Sequence, residues 1–162
     1  MAIDAFIKID DLVGDSIDDA HKKEIEVLSW SWGMSQLGST HSGTGSGSGK
    51  VSVQDLSFVK RIDASTPNLI AMCCSGAHFA KGVLTIRKAG GKTPVEYLKI
   101  TLEKMIVSNY STGGSGEGGE VIHENITLNF AQFKVEYTPQ DDKGKPLPGL
   151  NAAFNIATNK AG

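Results

Sequence analysis

Alternation of apolar and polar residues, the period of a β-strand, dominates this chain. The stretch 25–34 predicts a strand whose apolar face carries Leu28, Trp30, Trp32 and Met34. Its opposite face is small and polar and carries Ser29, Ser31 and Ser35. Further strands are predicted at 80–88 and 95–106, and the stretch 89–94 between them is typical of a hairpin turn. We expect the apolar positions of these two strands to be buried, namely Leu84, Ile86, Leu98, Ile100, Leu102 and Ile106.

Two predicted strands change the face of their apolar residues midway. Between 121 and 137 the apolar residues occupy even positions up to Phe130 and odd positions from Ala131 onward. The stretch 51–58 shows the same change between Val53 and Leu56. Because a slip of one residue moves every side chain to the other face, such a strand contains a bulge or bend, or serves two apolar surfaces. A bend would help a sheet close into a small barrel, whereas a second surface would be a subunit interface.

One short helix interrupts the strands. Ser65 is expected to cap its N-terminus, Pro67 fits the first turn, and Gly76 marks its end. The adjacent Cys73 and Cys74 are interpreted as small buried hydrophobic residues. The sequence therefore predicts a mainly β protein with one helix of at most three turns.

Composition limits the class of protein. A chain of 162 residues is expected to form one domain, 1–162, and its net charge of −2 argues against nucleic acid as a partner. The start of the chain lacks the basic and apolar regions of a Sec signal peptide, and no apolar stretch is long enough to insert into a membrane. These features predict a protein that folds in the cytoplasm.

Glycine-rich segments resemble nucleotide-binding loops, but their contexts do not fit. The stretch 44–50 lacks the first Gly and the final Ser or Thr of a phosphate loop, and 114–119 precedes a strand where a dinucleotide site needs a helix. The four histidines lack acidic residues at metal-binding spacing, and His123 and Glu124 point to opposite faces of a strand. We therefore predict no catalytic residues, no metal site and no cofactor.

The Gly/Ser-rich stretch 38–49 is unusually long for a connection in a compact domain. Ordering about ten such residues would cost roughly 10–20 kcal/mol of backbone entropy. The segment is therefore either disordered or ordered against a partner, and a tolerated surface excursion is compatible with the same pattern.

Short motifs along almost the whole chain resemble one bacterial family. They include Leu-Ser-Trp-Ser-Trp-Gly-Met-Ser-Gln at 28–36, Val-Gln-Asp-Leu-Ser-Phe at 53–58 and Glu-Asn-Ile-Thr-Leu-Asn-Phe-Ala-Gln at 124–132. Further matching segments lie at 6–9, 65–69, 84–91, 95–98, 100–102, 111–117 and 137–140. In this order they resemble the Hcp (hemolysin-coregulated protein) family, the tube protein of the type VI secretion system. The stretch 141–162 matches less well.

This resemblance implies a small β-barrel of two sheets with one short α-helix and long Gly-rich loops. It also implies a homo-hexameric ring, stacking of rings into a tube, and a lumen that carries and protects effectors. The spike protein and the sheath are implied partners. Export to the extracellular space or a target cell without a Sec signal is implied as well, and no enzymatic activity is expected.

Two sites follow as hypotheses. Burial of the Trp30 face would leave Ser29 and Ser31 to line the lumen, although the same alternation fits ordinary solvent-facing serines. The Gly/Ser-rich segment is the proposed contact between stacked rings, comprising Ser39, Thr40, His41, Ser42, Gly43, Thr44, Gly45, Ser46, Gly47, Ser48 and Gly49. The alternative function is a monomeric soluble β-barrel that binds a small ligand in its interior.

Overall fold

The computed structural model describes residues 3–36, 50–88, 94–119 and 121–162. Strands β1 to β6 are Ile3–Ile9, Ile25–Glu26, Ser29–Ser31, Met34–Ser35, Ser52–Val53 and Leu56–Arg61. Helix α1 is Thr66–Ser75. Strands β7 to β11 are His78–Lys88, Val95–Gly113, His123–Tyr137, Leu150–Asn155 and Lys160–Ala161. The predicted mainly β class with one short helix is confirmed.

The strands form one large antiparallel sheet and one small sheet. The large sheet has nine strands in the order β11-β10-β9-β8-β7-β1-β2, with β6 pairing both β9 and β3. Strands β4 and β5 form the small sheet. The chain from β2 to β3 passes from pairing with β1 to pairing with β6, but the sheet is not a closed barrel. The predicted hairpin is present: β7 and β8 are antiparallel neighbours, and Lys88 pairs with Val95 at the end next to the turn. Residues 89–93 of the turn lie outside the described residues.

Strands β8 and β9 change face together at a sharp bend. Leu102 is buried and the next buried residue of β8 is Met105, because Lys104 between them has a left-handed backbone with φ 54°. The expected burial of Ile106 is therefore wrong, and Met105 and Val107 occupy the core. Leu84, Ile86, Ile100 and Leu102 are buried as predicted, and Leu98 packs partly buried against them.

The change of face predicted for β9 coincides with this bend. Phe130 and Phe133 are both buried, and the residues opposite Lys104 form no regular pair. A second irregularity shifts the register between Val107 and Asn109. In the stretch 51–58 the change has another cause, because β5 ends at Val53 in the small sheet and β6 begins at Leu56 in the large one.

Helix α1 begins and ends where the sequence predicts, but its first turn is held differently. Ser65 occupies the cap position without a capping side-chain bond, and its hydroxyl donates to Asp63 Oδ1 instead. Gly76 ends the helix in a left-handed conformation with φ 65°. The burial expected of the two cysteines is wrong for Cys74, which is exposed, whereas Cys73 is half-buried.

Candidate functional site

Strand β3 places its serines on the face away from the core. It pairs with β6 so that Trp30 lies opposite Phe58 and Ser31 lies opposite Ser57. Cross-strand partners share a face, and Phe58 is buried in the core, so Ser29 and Ser31 point away from it. Both serines are exposed.

The apolar face of the same stretch is covered less than the pattern predicts. Leu28, Trp30 and Met34 remain exposed by 42%, 37% and 47%. Only Trp32 packs closely, with its ring centroid 4.9 Å from that of Phe133 in an edge-on arrangement. The predicted long strand is divided into β2, β3 and β4, and the described residues leave three of its four apolar side chains exposed.

The polar face around these serines continues over neighbouring strands. Ser57 lies opposite Thr127 on β9, and their hydroxyl oxygens are 3.1 Å apart. On β8, Asn109 and Ser111 lie opposite Thr127 and Asn125. We call this set the neutral polar face: Ser29, Ser31, Ser57, Asn109, Ser111, Asn125 and Thr127. Its side chains offer short hydrogen-bonding groups that carry no formal charge, and the half-buried Val59 lies among them, opposite Ser29 and Asn125.

Beyond the bend at Lys104 the same side of the sheet becomes charged. Lys81, Glu103 and Gln132 lie side by side on β7, β8 and β9, and Gln132 donates a hydrogen bond to Glu103. Asn155 Nδ2 donates to Gln132 Oε1 at 2.9 Å. The neutral polar face is therefore bordered by charge, with Lys81 and Glu103 beyond the bend and the exposed Arg61 at the other end of β6.

A buried ionic cluster supports the neutral polar face from behind. Lys60 and Glu124 lie opposite each other on β6 and β9, are 0% exposed and form an ion pair. Lys60 Nζ is also 3.0 Å from Asp63 Oδ1, and Thr66 Oγ1 donates to Glu124 Oε2 at 2.9 Å. Because Thr66 begins α1, the cluster fixes the start of the helix to the sheet.

Tyr110 on β8 completes this cluster. Its hydroxyl donates to Glu124, and burial together with the nearby carboxylate raises the pKa of Tyr110 to about 12. The alternation of residues contained a signal for the cluster. Lys60 shares its parity with the buried Leu56 and Phe58 of β6, so it stands at a core position.

A second polar cluster surrounds His21, for which the sequence predicted no acidic residues at metal-binding spacing. Its ring nitrogens are each 2.7 Å from a carboxylate oxygen, one of Glu24 and one of Glu96. The ring stacks on Phe6 at 4.6 Å. Burial raises the pKa of Glu96, but hydrogen bonds from Lys99 and His21 outweigh it and leave that pKa below its usual value. Glu24 is only three residues from His21, but Glu96 lies 75 residues away, so sequence spacing did not predict the complete cluster.

The remaining candidate sites have the following positions. His123 is exposed while Glu124 is buried, so the two point to opposite faces as predicted. The stretch 114–119 leads into β9 and not into a helix. Within the described ranges, no group of three or more His, Cys, Asp or Glu residues is arranged to hold a metal ion. The hypothesis for residues 39–49 falls outside the described residues.

The part of the chain that the structure describes contains no helix with the length and hydropathy needed to cross a lipid bilayer.

Comparison with known proteins identifies the family. A sequence model described as "Type VI secretion system effector, Hcp" matches residues 6–137. Protein hcp1 of Pseudomonas aeruginosa strain PAO1 is 60% identical over 160 residues, covering 98% of each chain. Hcp1 from Salmonella typhimurium has a similar structure, with a TM-score of 0.81, 41% identity and 99% of each chain covered. A solved type six secretion system protein has a TM-score of 0.92 at 31% identity over 99% of this chain and 100% of its own. This chain belongs to the Hcp family of type VI secretion system proteins.

Proposed function

We propose that this protein is a structural subunit of the inner tube of a type VI secretion system. Six copies form a ring, rings stack into a tube, and the lumen carries effectors for export. Large apolar side chains exposed on the single chain support this proposal, since another copy would cover them. They include Leu28, Trp30, Ile62, Ile122, Tyr137 and Leu150.

The neutral polar face lines the lumen in this proposal, with Ser29 and Ser31 on its β3 edge. This face is the observation that carries the cargo role. Short uncharged hydrogen-bonding groups can contact many different protein surfaces. Because they carry no charge, they form no buried ion pair with any of these surfaces. Such a surface suits cargo that must be held and later released.

The other expectations complete the proposal. The segment 39–49 contacts the next ring, and the spike protein and the sheath are partners of the assembled tube. The protein assembles in the cytoplasm and leaves the cell through the secretion system. It acts without a cofactor and catalyses no reaction.

Native mass separates this proposal from its alternative, a monomeric barrel with a ligand inside. The interior is filled by side chains with no exposed area, such as Ile7, Leu102 and Leu128, which leaves the alternative little support. Light scattering on the purified protein should give six times the chain mass of 17.2 kDa, and negative-stain images should show rings. A monomer at all concentrations would overturn the tube proposal.

The lumen assignment is tested by Ser31→Trp. Ser52→Trp is the matched control, since Ser52 is an exposed strand residue in the small sheet. We expect both variants to form rings and only Ser31→Trp to reduce the amount of effector that co-purifies with them. Equal effector recovery from both variants would contradict the assignment of Ser31. Removal of 42–48 tests the stacking segment, and normal tube growth after this deletion would exclude it as a ring contact.

A further inference from the structure

The loop between β1 and β2 presents an isolated apolar side chain. Ile17 is 90% exposed, the largest exposed fraction of any large hydrophobic residue that the structure describes. The nearby Ser16 and Gly14 are buried, so the backbone before Ile17 packs against the protein while the isoleucine side chain extends into solvent. An isoleucine in this position gains nothing from its own fold.

The loop that carries Ile17 is firmly held. Its two arms are joined by backbone hydrogen bonds from Gly14 to Lys23 and from Lys23 to Ser16, both 2.7 Å long. Asp18 pairs with Arg87, accepts two backbone N–H groups of the loop and has its pKa lowered chiefly by the hydrogen bond from Arg87. Because the tip is already ordered, docking it on a partner would require little further loss of conformational entropy.

Charged side chains of both signs surround the tip. Asp15 and Asp19 flank Ile17 and are exposed, in contrast to the half-buried Asp18. Lys22 and Lys23 are exposed on the returning arm of the loop, where Lys23 donates its backbone N–H to Ser16. The flanking carboxylates would fit an apolar groove with positive charge beside it.

Such a groove lies where β7 begins. It has a volume of about 670 Å³, and the nearly buried rings of Phe79 and Phe130 and the small Ala80 and Ala131 contribute to its lining. Exposed Lys104 supplies a positive charge, and His78 and Asn129 complete the lining. The left-handed backbone at Lys104 forms part of this groove.

The tip of a given chain is too far away to fill its own groove. The loop begins at Asp10, which accepts from the backbone of Ala80 beside the groove, but its tip is held through Asp18 to Arg87 near the end of β7. Seven or more strand residues separate the two places, which at about 3.3 Å per residue is roughly 23–30 Å. An Ile17 tip that fills the groove must therefore belong to another molecule.

We propose that Ile17 of one copy docks in this groove of a second copy, with Asp15 and Asp19 of the loop facing Lys104. This proposal rests on the self-assembly proposed above and identifies one of its contacts. Because tip and groove are different surfaces of the chain, a copy can place its tip on one neighbour and receive the tip of another, as a closed ring requires.

Cysteine cross-linking tests the contact directly. Ile17→Cys and Ala80→Cys are made separately in a background in which Cys73 and Cys74 are replaced by alanine, and the two proteins are mixed under mild oxidation. We expect a disulfide-linked dimer containing one chain of each kind. Ile70→Cys, an exposed helix position, replaces Ile17→Cys as the control and should give little cross-linking with Ala80→Cys.

Ile17→Glu provides an independent measurement. Ala20→Glu adds the same charge at another exposed position of the same loop and is the matched control. We expect Ile17→Glu to weaken self-association at least tenfold, measured by sedimentation velocity over a concentration series, and Ala20→Glu to have a much smaller effect. Both monomers should keep the unfolding temperature of the parent chain.

The outcomes separate the two proposals. If the unmodified chain forms rings, and Ile17→Glu assembles equally well without any cross-link from Ile17→Cys to Ala80→Cys, the contact is wrong and the ring stands. If the unmodified chain is monomeric at every concentration, the tube proposal itself fails.

Discussion

Replacing Glu124 by leucine should destabilise the fold strongly, because it breaks the buried cluster between β6, β9 and α1. In the native protein Glu124 accepts from Lys60, Thr66 and Tyr110 with no exposed surface. Leucine keeps approximately the volume of the side chain but leaves the Tyr110 hydroxyl without this acceptor and Lys60 with Asp63 as its remaining carboxylate. Breaking a buried ion pair by removing one partner costs about 3–5 kcal/mol.

The reciprocal substitution, Lys60→Met, should be the more damaging of the two. It leaves Glu124 and Asp63 near each other without their shared cation, so two buried carboxylates repel each other. Glu124→Leu, in contrast, leaves one cation with one carboxylate. We therefore expect the loss for Lys60→Met to lie at the upper end of about 3–5 kcal/mol.

The double variant Lys60→Met/Glu124→Leu separates the value of the pair from the penalty of an unpaired charge. Replacement of a buried ion pair by apolar residues is often neutral or stabilising. The free energy of unfolding lost in the double variant should therefore be smaller than the sum of the two single losses, by at least about 2 kcal/mol. Urea unfolding followed by circular dichroism at one fixed protein concentration measures all four free energies. Additive losses, or a single-variant loss below about 1 kcal/mol, would refute the proposed energetic role of this cluster.

Three further perturbations have defined outcomes. Gly82→Ala should lower the free energy of unfolding by about 1–3 kcal/mol in urea titrations, because the new Cβ would lie 2.8 Å from Cε of the fully buried Met105; an unchanged midpoint would contradict this packing. Lys104→Gly should stabilise the monomer by about 1 kcal/mol in the same assay, since Lys104 has φ 54°, and a loss of stability would show that its side chain matters more than its backbone. Arg87 lowers the pKa of Asp18 in the folded protein, so the ionised carboxylate stabilises the fold at pH values above its unfolded pKa of about 3.8. This contribution is lost as the pH falls through the lower pKa that Asp18 has in the folded protein. Asp18→Asn should thus be less stable than the parent chain at pH 7 and converge with it in acid, and a pH-independent difference would exclude this linkage.

Local sequence signals predicted much of the fold because their physical causes are local. The pairing of Pro67 and Gly76 predicted the ends of α1, and both serve there as expected. The change of parity in β9 required an irregularity, which the structure provides opposite Lys104. Which residue would adopt the unusual backbone was not predictable, since lysine has no preference for a left-handed conformation and tertiary packing selects it here.

Partnerships between distant residues were harder to predict. His21 lies 75 residues from Glu96 in the sequence, and only the approach of its loop to the start of β8 brings them together. The pair of Lys60 and Glu124 left a clearer trace, because each occupies a core parity position of its own strand. Two opposite charges at core parity positions in two strands predict that those strands are neighbours, since neither charge can be buried alone.

Alternation of residues identifies which side chains share a face, but it does not identify what covers that face. Trp30 lies opposite the buried Phe58 as the pattern requires, yet it keeps 37% of its surface exposed. The same holds for Leu28 and Met34, so the strand pattern over-predicted the core of one chain. An apolar position that fits the pattern but remains exposed in the folded chain is expected to be covered by a further molecule. The difference between pattern and burial therefore marks the apolar surface on which contacts of the proposed assembly are to be sought.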